Sequence, residues 1–163
     1  MKAMPTTIIG DPATFAIEYE LESAYPPYGR IRLWLERKRF GDIALSMFLY
    51  HMCSSLEAMM VRNPRTTPAV YVSQSDAPSD DTLFSEVSWS WGESFDDFVF
   101  ALYAAQNDGL VHFVWKLERE TETLHDDCPG PHHVAVPYMI YDKVVGELLR
   151  NLSYYELEAR SGS

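Results

Sequence analysis

Residues 15–35 read FAIEYELESAYPPYGRIRLWL, and apolar residues alternate with polar ones in both halves of this segment. An alternation with a period of two is typical of a strand that has one buried face. The proline- and glycine-containing stretch at residues 25–29 predicts a turn between two such strands. The sequence therefore predicts an antiparallel hairpin near the start of the chain.

The charged residues of this hairpin fall on its outer face. Opposite charges that face each other on neighbouring strands stabilise a sheet, so we interpret the two arginines as structural. The opposing groups are Glu18, Glu20 and Glu22 on one strand, and Arg30 and Arg32 on the other. Trp34 alternates onto the same face. Tryptophan is enriched at interface hot spots but is also ordinary core material, and Trp34 is the best candidate here for an exposed or interface aromatic residue.

Two later segments have the periodicity of amphipathic helices. From Phe48 to Met60 apolar residues recur at helical spacing. Asn63-Pro64 predicts the end of this helix, because the residue before a proline disfavours the helical conformation. A last helix is predicted with Asp142 as a candidate N-cap. Its expected inner face consists of Val145, Leu148, Leu149, Leu152 and Tyr155.

A second hairpin is predicted in the centre of the chain. Residues 98–103 and 110–115 are rich in β-forming residues and flank Asn107-Asp108-Gly109, and Asp-Gly is a favoured hairpin turn. Residues 118–133 are polar and predict a long loop. Shorter strands are expected at residues 69–73, 83–91 and 134–136. Together these elements predict an α+β domain, in which two main helices pack on an antiparallel sheet of about five to six strands.

Length and composition bound the class of protein. The chain has 163 residues, of which 47% are hydrophobic, which suffices for one domain over residues 1–163 with a core of its own. We expect residues 1–7 and 160–163 to be flexible ends. The sequence has no apolar run long enough for a transmembrane helix and no sustained apolar region typical of a signal peptide. Two cysteines do not make a disulfide framework, so we expect a soluble, cytoplasmic protein without membrane contact.

The net charge is −11, and the whole excess lies between Asp76 and Asp127, a segment that we call the acidic third. It holds thirteen acidic residues against Lys116 and Arg119, whereas the rest of the chain holds eleven residues of each sign. Phosphate groups would be repelled by such a surface. We therefore expect no direct contact with nucleic acid and consider a basic protein the more plausible partner. The alternative is that these acidic loops only keep the protein soluble.

The chain lacks the common catalytic motifs. It has no phosphate-binding loop, no GxGxxG, no HExxH, no CxxC and no GxSxG. Gly92-Glu93-Ser94-Phe95-Asp96 resembles a nucleophile elbow but lacks the second glycine. The sequence therefore predicts a protein that is not an enzyme and that uses no cofactor.

One cluster of potential ligands lies between His125 and His133. It combines imidazole and thiolate groups, which zinc prefers, within nine residues: His125, Asp126, Asp127, Cys128, His132 and His133. The spacing fits no common zinc pattern, and four ligands from one short loop would be crowded, so we expect no metal. A small metal- or thiol-dependent enzyme that uses this loop is the alternative hypothesis, together with an acidic adaptor domain for another protein partner.

Several short motifs resemble bacterial immunity proteins of the family numbered 42. The resemblance begins at Ile8-Ile9-Gly10-Asp11-Pro12 and continues through the first hairpin. Further similar motifs are Phe40-Gly41-Asp42, Phe95-Asp96-Asp97-Phe98 and Val114-Trp115-Lys116-Leu117. This resemblance implies a non-enzymatic inhibitor that binds a toxin domain in the cytoplasm. Such proteins protect a bacterium in contact-dependent inhibition and related polymorphic toxin systems.

The charge distribution adds an expectation about the toxin. A toxin domain that attacks nucleic acid must present a basic cleft, and an acidic partner can fill it. We therefore expect a basic toxin domain, with nucleases among the candidates. The expected toxin-binding residues are Trp34 and eleven carboxylates of the acidic third: Asp76, Asp80, Asp81, Glu93, Asp96, Asp97, Glu118, Glu120, Glu122, Asp126 and Asp127.

Overall fold

A computed structural model describes residues 5–40, 46–58, 71–72, 88–89, 98–105, 109–117 and 132–162. Within these ranges the chain forms ten strands, arranged in two sheets of five, and two helices. The predicted α+β class is therefore confirmed. The strand count is only partly matched, because the strands of the two hairpins belong to separate sheets rather than to a single one.

The first sheet is built from the N-terminal part of the chain and is antiparallel throughout its described pairs. Strand order is β1-β2-β3-β4, and β5 also pairs with β3. Glu36 and Arg37 connect β3 to β4 with positive φ angles of 47° and 71°, the backbone twist that a two-residue hairpin favours. The strands are β1 (Thr7–Asp11), β2 (Phe15–Ala24), β3 (Pro27–Leu35), β4 (Lys38–Phe40) and β5 (Met47–Phe48).

The second sheet contains the predicted central hairpin. Its order is β10-β9-β8-β6, and β7 also pairs with β8. Gly109 precedes β9 with a φ of +70°, a conformation that glycine adopts without strain. Of the described pairs in this sheet, β6 with β8 is parallel and the others are antiparallel. The strands are β6 (Tyr71–Val72), β7 (Ser88–Trp89), β8 (Phe98–Ala105), β9 (Leu110–Leu117) and β10 (His132–Pro137).

Two helices, α1 (Leu49–Ala58) and α2 (Tyr138–Ser161), cover the sheets. The longer helix, α2, contacts β1 and β2 of the first sheet, β9 and β10 of the second, and α1. It approaches β1 at Gly10, where an added Cβ would lie only 2.8 Å from the Val144 side chain. Within the described part of the chain, neither helix combines the length and the apolarity that crossing a membrane requires.

Tyr141 of α2 is the point at which both sheets and both helices meet. Its side chain is fully buried. The phenol ring lies 5.5 Å from the Phe15 ring of β2 and 6.2 Å from the Phe113 ring of β9, measured between centroids. Its hydroxyl donates a 2.6 Å hydrogen bond to the carbonyl oxygen of Leu56 in α1. Tyr141 thus connects α2 with α1, β2 and β9 in one shared core.

The first hairpin was predicted in detail. Glu18 is opposite Arg32 and Glu20 is opposite Arg30 in the observed register, as the charge pattern requires. The second hairpin also pairs as predicted. In α2 the predicted inner residues Val145, Leu148 and Leu152 are buried, with Leu149 and Tyr155 packed partly against them.

Three local predictions were wrong. Phe48 is not on the inner face of the first helix, because residues 47–48 add to the edge of β3 before α1 begins. Asp142 does not cap the last helix. Instead α2 begins at Tyr138, whose amide donates to the carbonyl of Gly109 at 3.0 Å. His132 and His133 do not lie in a loop, because β10 starts at His132 and pairs with β9.

Other expectations meet the structure only in part. Residues 59–64, including the predicted end of the first helix, lie outside the described residues. Of the expected strand at residues 83–91 the structure describes only β7. Thr7 and Arg160, which the sequence places in flexible ends, lie in β1 and in the last turn of α2.

We expect Tyr141→Phe to lower the free energy of unfolding by about 1–3 kcal/mol, because it removes the buried donor to the Leu56 carbonyl and keeps the packed ring. Tyr154→Phe is the matched control, since the Tyr154 side chain is exposed and its hydroxyl bonds to Glu158 within the same helix. Urea denaturation measures both variants. Equal small effects would show that the hydroxyl of Tyr141 does not hold the helices together.

Candidate functional site

The structure places one of the twelve predicted toxin-binding residues. Trp34 lies in β3 on the outer face of the first sheet and is partly exposed. The other eleven lie outside the described residues: Asp76, Asp80, Asp81, Glu93, Asp96, Asp97, Glu118, Glu120, Glu122, Asp126 and Asp127. The candidate site that can be built from described residues is therefore the outer face around Trp34.

A buried carboxylate organises this outer face. Glu18 of β2 accepts a 2.9 Å hydrogen bond from Arg32 Nη1 on one carboxylate oxygen and a 2.8 Å hydrogen bond from Trp34 Nε1 on the other. Glu18 is only 8% exposed and Arg32 only 5%. Both partners follow from the register, because Arg32 lies opposite Glu18 and Trp34 is the next residue of β3 on the same face.

The neighbouring charges are much more exposed. Arg30 lies 3.8 Å from Glu20 and 3.4 Å from Glu22, and its side chain is 36% exposed. Ion pairs of this kind contribute little to stability. A buried pair differs, since removing one partner leaves an uncompensated charge in the interior. The sequence predicted that the three glutamates face the two arginines, but it contains no signal that the Glu18 pair is buried and the Arg30 pairs are not.

The Glu18 network holds Trp34 in a fixed orientation. The indole N–H is already bonded, so the accessible part of the side chain is its apolar ring. Arg39 of β4, opposite Trp34 in the register, lies with its guanidinium 5.8 Å from the ring centroid. A fixed tryptophan beside arginine is typical of a protein-binding surface.

The second sheet carries a pair of histidines that the sequence did not bring together. His112 of β9 and His133 of β10 have their Nδ1 and Nε2 atoms 2.8 Å apart, with nearly parallel rings. Burial lowers the pKa of His133, and the neighbouring His112 lowers it further. The alternation along β9 indicates, from the sequence alone, that His112 lies on the face opposite Phe113.

The alternative of a metal or thiol enzyme rests on the segment from His125 to His133, of whose six potential ligands the structure describes only His132 and His133. No group of three or more potential metal ligands occurs among the residues that the structure describes, and His125, Asp126, Asp127 and Cys128 lie outside them. Cys53 is buried in α1, and burial raises the pKa of its thiol to about 12, with a further contribution from Glu57. A thiol that stays protonated at neutral pH is a poor nucleophile.

We expect Glu18→Gln to cost about 3–5 kcal/mol of folding free energy, because it leaves the Arg32 charge buried without a counter-ion. Glu20→Gln on the same strand is the matched control and is expected to cost at most about 1 kcal/mol, since its partner Arg30 reaches solvent. Chemical denaturation of both variants measures the difference. Indistinguishable costs would contradict the role assigned to the buried pair.

The histidine pair predicts a pH dependence of stability. Because the folded-state pKa of His133 lies below the unfolded value near 6.5, the unfolded chain takes up a proton more readily as the pH falls below that value. Stability is therefore fully retained above about pH 7 and decreases towards the lower folded-state pKa. We expect His133→Asn to lose less stability than the wild type between pH 7.5 and pH 5.5. Parallel pH profiles in denaturant titrations would refute this.

Comparison with known proteins places these features in a family. A search of curated proteins found no match. A family profile described as immunity protein 42 matches residues 7–151, from the first residue of β1 into α2. The match spans most of the chain and confirms the resemblance read from the short motifs. This chain belongs to the immunity protein 42 family.

Proposed function

We propose that this chain neutralises a cognate toxin domain by direct, non-covalent, one-to-one binding, and so protects the bacterium that makes it. Membership of the immunity protein 42 family supports the immunity role and implies a toxin as partner. In this proposal the chain acts in the cytoplasm by binding to the toxin domain and not by catalysing a reaction. Systems of contact-dependent inhibition and related polymorphic toxins are the setting that fits such a protein.

The observation that carries the proposal is the outer face of the first sheet. Trp34 is held there by the Glu18 carboxylate at 2.8 Å and flanked by Arg39. A side chain that is already fixed loses little conformational entropy when it binds, so more of its burial energy appears as affinity. We assign to Trp34 the part of an anchor whose loss accelerates dissociation.

The acidic third has a different part in this proposal. Its excess of eleven negative charges would attract a basic toxin domain before contact. Charges at the rim of an interface act chiefly on the association rate, whereas desolvated groups act on the dissociation rate. We therefore assign long-range steering to the carboxylates between Asp76 and Asp127. A basic toxin, with a nuclease as one candidate, is the partner that this charge fits.

Association kinetics test the proposal with two variants. The probe is the toxin domain encoded next to this chain's gene, inactivated by mutation. Changing Asp80, Asp81, Glu93, Asp96 and Asp97 to the corresponding amides should slow association and flatten its dependence on salt. Trp34→Ala should leave the association rate and its salt dependence nearly unchanged, and should raise the dissociation rate by about 30-fold, as expected for a hot-spot residue.

Trp34→Phe provides a control for loss of packing, because it keeps a smaller aromatic ring and removes the N–H that donates to Glu18. Absence of binding by the wild-type chain would contradict the proposed function. If the amide variant associates at the wild-type rate at both low and high salt, the acidic third does not steer binding and serves only solubility.

A further inference from the structure

An exposed group of aromatic residues lies at one end of the first sheet. We call it the aromatic patch and define it by Tyr25, Tyr28, Phe48, Tyr50 and Arg160. Tyr25 is 53% exposed, Phe48 58% and Tyr50 42%. Single exposed aromatic residues are normal, but a contiguous group of them on a globular protein indicates a contact surface.

Two sets of contacts, from three parts of the fold, hold the residues of the patch. The Tyr28 and Phe48 rings meet edge to face at 5.2 Å between centroids. Tyr50 donates a hydrogen bond to the Glu156 carboxylate. Glu156 pairs with Arg160 at 2.6 Å, and the Arg160 guanidinium lies 4.5 Å from the centroid of the Tyr25 ring. The short backbone segments from Tyr25 to Tyr28 and from Phe48 to Tyr50 join these two sets of contacts.

These contacts hold the patch in place without burying it. The hydrogen bond to Glu156 raises the pKa of Tyr50 to about 12, so its hydroxyl remains a donor at physiological pH. Tyrosine, phenylalanine and arginine are the residues enriched at protein interfaces. Aromatic side chains with few rotatable bonds lose little entropy on binding.

Tyr28 of the patch lies on the same side of β3 as Trp34. Tyr28, Arg30, Arg32 and Trp34 alternate on one side of β3. Six residues of strand separate the first from the last, a distance of about 20 Å.

The charges around the patch indicate what covers it. The ion pairs that adjoin the patch contain three carboxylates, those of Glu20, Glu22 and Glu156, and two guanidinium groups, those of Arg30 and Arg160, so carboxylates outnumber guanidinium groups. The whole chain carries −11. A second copy would bring like charges together at long range, whereas a surface with an apolar centre and a basic rim would be complementary.

We infer that the aromatic patch is a second docking surface for the toxin domain, on the same side of β3 as Trp34, and that it receives an apolar area rimmed by lysine or arginine. The inference rests on the proposed function. It adds that recognition does not depend on the acidic third alone, and that the end of α2 takes part through Arg160.

The test is binding of Phe48→Ser and of the double variant Tyr25→Ser/Phe48→Ser to the same inactivated toxin domain. We expect affinity to fall at least tenfold for the single variant and further for the double variant, mainly through faster dissociation. Met139→Ser is the matched control. It removes another exposed apolar side chain, 83% accessible, at the other end of α2, about 30 Å along the helix axis from Arg160, and should bind like the wild type.

Thermal unfolding of each variant separates loss of binding from loss of folding. Wild-type affinity of both patch variants would overturn this inference and leave the proposed function standing. Self-association of the wild-type chain that is abolished by Phe48→Ser, with toxin binding retained, would also overturn it, because the patch would then join two copies. If the wild-type chain does not bind the toxin domain, the proposed function falls and this inference falls with it.

Discussion

The buried hydroxyl of Tyr141 is the constraint on which the rest of the structure depends. A phenol group in the core must have a hydrogen-bond partner, because an unpaired buried polar group costs about 1–3 kcal/mol. Its partner is the carbonyl of Leu56 in α1, while its ring packs on Phe15 and Phe113. These contacts set the position of α2 against both sheets and against α1. The inner side of the fold is thereby fixed.

On that outer face a second buried polar group has a different consequence. Glu18 and Arg32 are almost as buried as the core, although they lie on the side of the sheet away from α2. The carboxylate uses both oxygens, one for Arg32 and one for Trp34. The network therefore orients Trp34, the residue of this face that the sequence predicts to bind a partner. Stability and recognition are coupled here, because a change at Glu18 would disturb Trp34 as well.

The amino-acid sequence predicts local pairing better than it predicts assembly. Alternation predicted which side chains of the two strands share a face, because a one-residue slip would turn every apolar side chain of the hairpin towards solvent. Nothing local shows that the two hairpins belong to different sheets. The start of α2 was misplaced because its first amide is satisfied by Gly109, a contact across 29 residues of chain. A cap predicted from Asp142 could not take such a partner into account.

The same distinction applies to the candidate site. Trp34 was found from its place in an alternating strand, whereas the aromatic patch brings together residues as distant as Tyr25 and Arg160. Phe48 in particular fits a helical period in the sequence, because the two-residue strand that carries it is too short to leave a pattern of its own. Features that depend on tertiary contact between remote segments leave no periodic signal.

The central claim is that one molecule of this chain inhibits one molecule of the toxin domain by binding to it. A titration of toxin activity with this chain tests the claim. Increasing amounts of the purified chain are added to a fixed amount of active toxin domain, at a concentration well above the dissociation constant. The account predicts a linear loss of activity that reaches zero at one equivalent of the chain and returns when the complex is dissociated. Complete inhibition by a small fraction of an equivalent would contradict this, because it would indicate that the chain inactivates the toxin catalytically. Absence of inhibition at every ratio would also contradict it, because the toxin domain would then not be a partner of this chain.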